Sequence, residues 1–90
     1  MTLQLGKVFA SVGAIAAFAE APGKVPDTYL ARHANGDWGE VDEHDRQADE
    51  YALEHGLRVL SAYTLSSGEK IWIITEVDRS STTIPSPEEY

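Results

Sequence analysis

Leu57-Arg58-Val59-Leu60-Ser61-Ala62-Tyr63-Thr64-Leu65-Ser66-Ser67-Gly68-Glu69-Lys70-Ile71-Trp72-Ile73-Ile74-Thr75-Glu76-Val77-Asp78-Arg79-Ser80-Ser81-Thr82-Thr83-Ile84 is the stretch that decides the fold. Residues 57–64 alternate in the two-residue period of a strand, Ser66-Ser67-Gly68 supplies a hairpin turn, and residues 70–76 give its partner. The unbroken apolar run from Ile71 to Ile74 suits a central strand covered on both faces. Asp78-Arg79-Ser80 makes a second turn and residues 81–84 a short last strand, which Pro85 and Pro87 end because proline donates nothing to a ladder. The carboxyl-terminal part therefore reads as a three-stranded antiparallel meander, with residues 86–90 as a polar tail.

Upstream of Leu57 the period is helical. Asp42 is placed to cap a helix, with Asp45 where a capping box has Glu, and Gly56 provides the left-handed stop. Ala48, Ala52 and Leu53, with Tyr51, form its narrow apolar stripe, and the opposite face is acidic. A shorter helix starts at Pro26 with Asp27 in its first turn and stops at Asn35-Gly36; it turns Tyr29 and Leu30 inward, and His33 follows Tyr29 by one turn. Asp37-Trp38-Gly39-Glu40 is a tight connection anchored by Trp38. Further back, Ser11 caps an apolar helix over residues 12–20, with Ala14, Ile15 and Phe18 on one face and Pro22-Gly23 as its stop. Leu3, Leu5 and Val8-Phe9 suggest a first strand ending at Ser11. The expected fold is α+β: one strand, three helices packed on one face, then the meander.

Ninety residues hold one domain, here 1–90, and one modest core. The absence of cysteine excludes disulfides, thiolate metal sites and cysteine nucleophiles, and fits a reducing compartment. The apolar run from Val12 to Ala19 is far shorter than a span requires, and no basic segment precedes it, so the chain reads as cytoplasmic with no membrane partner. The formal charge is −8, and residues 37–56 hold eight of the fifteen acidic residues against one basic residue. Such a surface repels phosphate backbones, which disfavours direct nucleic-acid binding and favours a basic protein surface. Asp37, Glu40, Asp42, Glu43, Asp45, Asp49 and Glu50 are the candidate partner-binding residues.

The same carboxylates lack the alternating spacing of a calcium loop, and His33, His44 and His55, eleven residues apart, cannot share one helix across Gly36 and Gly39. No metal and no cofactor are expected. There is no Gly-rich phosphate loop, nucleophile elbow or HExxH. A competing reading sets His33 as acid–base group and Arg79 as the cation of a small metal-independent ribonuclease, with Thr75, Asp78 and Thr82 nearby, because such enzymes move a 2′-hydroxyl proton and stabilise a phosphorane on a sheet. A third is a structural or regulatory accessory protein, dimeric through an exposed sheet edge.

Arg32-His33 with Gly36-Asp37-Trp38-Gly39-Glu40, Leu60-Ser61-Ala62-Tyr63, the run from Ile71 to Ile84 and Pro87-Glu88-Glu89-Tyr90 resemble a family of bacterial proteins of this length carried on plasmids and genomic islands. Its members bear labels such as plasmid-related protein or type I restriction enzyme subunit M. The resemblance spans nearly the whole chain and implies a mobile-element setting. It does not imply methyl transfer, which needs a cofactor-binding α/β sheet that a chain this short cannot hold. Ile84-Pro85-Ser86-Pro87 stands where the family has a more apolar run, so a shorter last strand is expected. The leading expectation is a non-enzymatic, anti-defence binding protein, a nucleic-acid mimic that occupies the basic groove of a restriction or CRISPR complex.

Overall fold

The computed structural model describes residues 3–20 and 26–85. Seven elements follow in order: β1 (Lys7–Ala10), α1 (Val12–Ala19), α2 (Pro26–Ala34), α3 (Glu43–His55), β2 (Val59–Thr64), β3 (Lys70–Thr75) and β4 (Ser81–Ile84). The fold is α+β. The expected stop at Pro22-Gly23 and the tail at 86–90 lie outside the described residues.

β2, β3 and β4 are consecutive antiparallel neighbours, with Tyr63 opposite Ile71 and Thr75 opposite Thr82. β1 then joins the far side of β4 in parallel, Lys7 opposite Ser81 and Ala10 opposite Ile84, giving the order β1-β4-β3-β2. The sheet is thus mixed and is not a simple meander, because its first strand returns to pair with its last. Gly6 makes that return possible: it has φ +64, and a Cβ there would fall 2.3 Å from the Ser80 carbonyl oxygen.

The local signals hold the helices where the sequence puts them. The Ser11 side chain accepts from Ala14 N–H at 3.0 Å, and Asp42 Oδ1 accepts from Asp45 N–H at 2.8 Å. Each such cap stabilises its helix by about 1 kcal/mol. Gly56 closes α3 at φ 66. β2 begins at Val59 rather than Leu57, which is exposed beyond the Gly56 turn.

Side chains alternate across the sheet. Val59, Ser61, Tyr63, Ile71, Ile73, Thr75, Thr82 and Ile84 share one buried face. Phe18 of α1 and Tyr29 of α2 pack there with Tyr63, Ile71, Ile73 and Ile84, while Ala52 of α3 packs with Trp38 and Val59. All three helices therefore cover one face. The other face is open: Leu60, Ala62 and Trp72 stay partly exposed and Phe9 is 54% exposed, although Ile74 is buried. Trp72 is thus not covered on both sides as the apolar run suggested. The buried stripe of α1 is Ala14, Ala17 and Phe18; Ile15 points outward.

Candidate functional site

Six of the seven candidate carboxylates divide by geometry into three groups, and Glu50 stands outside them. Asp37 and Glu43 are engaged with arginines: Arg32 Nε donates to Asp37 Oδ2 at 2.7 Å, and Arg46 donates to both oxygens of Glu43 at 2.6 and 2.7 Å. Each arginine hydrogen bond holds its partner carboxyl below the usual range. Asp37 also builds the loop. Its Oδ1 accepts from Gly39 N–H, and its carbonyl accepts from the Tyr63 hydroxyl. Asp49 stands apart from the rest. It is 4% exposed and faces β2, where Oδ1 accepts from Leu60 N–H at 2.9 Å while Oδ2 is buried without a hydrogen bond. Burial pushes this carboxyl up to about 6. Asp49 is therefore almost wholly enclosed.

Glu40, Asp42 and Asp45 form the third group. The Trp38-Gly39-Glu40 segment runs beside β2, with Ala62 N–H donating to the Trp38 carbonyl at 3.1 Å and Glu40 N–H donating to the Ala62 carbonyl at 2.7 Å. Gly39 is required at this approach: φ is +73, and a Cβ would sit 2.1 Å from the Ala62 carbonyl oxygen. Glu40 then accepts from both the amide and the hydroxyl of Thr64 at 2.9 and 2.8 Å. This docking holds the start of α3 beside the open sheet face. The result is a cleft of about 310 Å³ lined by the acids Glu40, Asp42 and Asp45, by an apolar floor of Leu60, Ala62 and Trp72, and by Lys70, the strand partner of Thr64. Glu50 lies elsewhere, accepting from Trp38 Nε1 at 3.3 Å and lining a second cavity of about 430 Å³ with Arg79.

Sequence reasoning named the carboxylates and missed the floor. Leu60, Ala62 and Trp72 fall at alternate strand positions, but which face the helices leave open is a tertiary fact.

His33 has no exposed surface. Its Nδ1 meets Ser61 Oγ and its Nε2 meets Thr75 Oγ1, which in turn contacts Thr82 Oγ1 at 2.8 Å. The Thr82 hydroxyl donates to the Leu5 carbonyl, so Thr75 donates to Thr82, His33 Nε2–H donates to Thr75, and Nδ1 accepts from Ser61. Burial, with the nearby Arg79 charge, lowers this imidazole to about 4, in keeping with a neutral ring. Arg79 lies at φ 61 and donates to the carbonyls of Leu57, Glu76 and Ala52 at 2.6, 3.0 and 3.2 Å. Its guanidinium ties the end of α3 to the β3–β4 turn. Among the described residues, the cavity touched by Arg79 is lined beside it by residues such as Asn35 and Trp38, not by His33.

His44 and His55 are separate from His33 as well. His55 stacks on Tyr51 at 3.8 Å and donates from Nδ1 to the Tyr51 carbonyl. Ligand atoms of Asp42, His44 and Asp45 lie within 4.8 Å of one another, all on exposed side chains.

No helix among the described residues is long and apolar enough to cross a membrane. Comparison with family models, with curated proteins and with solved structures gives no match.

Proposed function

We propose that this chain is a non-enzymatic, acidic binding protein of mobile genetic elements, acting in the cytoplasm by occupying the basic nucleic-acid-binding surface of a restriction or CRISPR complex. The observation that carries the reading is the cleft in which Glu40, Asp42 and Asp45 border a floor of Leu60, Ala62 and Trp72. Carboxylates beside an apolar floor suit arginine and lysine side chains, whose stems bury against apolar surface while their heads meet the acids. The Trp72 ring adds a cation-binding π system. A phosphate backbone gains nothing from this wall. The mobile-element setting rests on the sequence resemblance, and the acids of the cleft support a basic partner.

Affinity capture from lysates carrying restriction and CRISPR systems tests it, comparing wild type with Asp42→Asn/Asp45→Lys. Asn at position 42 keeps the helix cap while removing its charge. Recovery of a DNA-handling complex by wild type alone is the expected result; equal recovery by both forms, or none by either, removes the proposed surface.

A further inference from the structure

We infer that two copies of this chain associate through the free edge of β1, extending their two sheets into one and packing the exposed flanks of their α1 helices together. The inference is independent of the acidic cleft, which borders the other end of the sheet.

Among the described residues, β1 lies at the end of the strand order, with β4 as its one neighbour. Lys7 N–H donates to the Ser80 carbonyl and Ser11 N–H to the Ile84 carbonyl, so the two-residue alternation turns the backbone groups of Val8 and Ala10 away from β4. The β2 edge differs, because Trp38 and Glu40 already bracket Ala62 there. Among the described residues, one edge of the sheet is closed by its own chain and the other carries no pairing strand, a template for association.

The surface around that edge is apolar. Val8 is 43%, Val12 82% and Ile15 58% exposed, and Val12 begins α1 only two residues beyond β1. α1 carries no charged residue, so it lacks the polar flank of a solvated helix. Of the protections usual at edges, β1 has its short length of four residues and a single lysine, Lys7, and it has no proline.

Charge selects the occupant. Residues 7–19 contain no acidic residue in a chain of formal charge −8. Two copies meeting at α3 would oppose their acidic faces, whereas two copies meeting at β1 keep those faces at the far ends of the joined sheet. A two-fold axis perpendicular to the sheet pairs β1 with its copy antiparallel and sets both α1 helices on the same side, where Val12 and Ile15 meet their counterparts.

Sedimentation of the full chain from about 10 μM to about 500 μM, spanning the range of modest dimer affinities, tests this directly. Wild type is expected to shift from 9.9 kDa toward twice that mass, with amide exchange at Val8 and Ala10 slowing as concentration rises. Val12→Glu, at a position too exposed for folding to depend on it, and Val8→Lys are each expected to weaken association at least about tenfold with an unchanged circular dichroism spectrum. A wild type that stays monomeric throughout, or variants that dimerise as well as wild type, overturns the inference.

Discussion

His33 Nε2 donates to Thr75 Oγ1 at 2.8 Å, and this bond lies in the middle of a buried chain running from Ser61 through Thr82 to the Leu5 carbonyl. Five segments, including α2 and the three strands β2, β3 and β4, meet at it. Every polar proton in the chain has one acceptor, which makes the set a structural clasp with a single direction.

His33→Leu should therefore act on stability. It leaves the Ser61 and Thr75 hydroxyls without their buried partner and is expected to cost about 2–4 kcal/mol in urea unfolding. Purified wild type should cleave no RNA; cleavage lost in His33→Ala with the fold intact would restore the catalytic role.

Two buried groups oppose each other in pH. His33 falls from 6.5 to about 4 on folding, so the unfolded chain binds the extra proton and stability declines as pH drops below 6.5. Asp49 rises from 3.8 to about 6, so the folded chain binds the proton and stability increases as pH drops through 6. The two trends partly cancel in wild type between pH 7 and 5. Asp49→Asn removes the compensation and should show a loss of about 2 kcal/mol over that interval, estimated from 1.36 kcal/mol per pH unit. An equally flat profile in the variant would contradict this linkage.

Gly39→Ala should displace the segment that closes the β2 edge. The added Cβ cannot sit 2.1 Å from the Ala62 carbonyl oxygen, and φ +73 disfavours it further. A loss of about 2 kcal/mol or more is expected in thermal unfolding, with faster exchange at the Ala62 amide. Unchanged exchange there would show that the bridge is not held by this glycine.

Arg79→Ala removes three charge-assisted bonds to the carbonyls of Leu57, Glu76 and Ala52. A cost of about 1.5–3 kcal/mol is expected, and partner binding by the folded protein should not change. Loss of binding without loss of stability would move Arg79 from the scaffold to the site.

The hairpin, the α3 caps and the anchoring Trp38 were legible because each depends on neighbours in sequence. The parallel pairing of β1 with β4 was not, since Lys7 and Ser81 lie at opposite ends of the chain and no local pattern records their meeting. Asp49 shows a different limit. It precedes Ala52 by three and Leu53 by four, the spacing of one helix face, yet its charge argued for solvent; Leu60 N–H, which it accepts, resolves the conflict. Ile15 and Phe9 show the converse, apolar residues that the single sheet leaves exposed. The acids of the candidate cleft were visible as charge, whereas the floor of Leu60, Ala62 and Trp72 depended on all three helices choosing the other face.

In the proposed function the cleft lined by Glu40, Asp42 and Asp45 competes with nucleic acid for a basic groove. The most direct test is displacement of labelled DNA from purified restriction and CRISPR complexes by the wild-type chain, with Asp42→Asn/Asp45→Lys and Trp72→Ala as controls. Wild type is expected to displace DNA from at least one complex, and both variants to lose this at least about tenfold. DNA binding left untouched by wild type in every complex, or displaced equally by the variants, would contradict it.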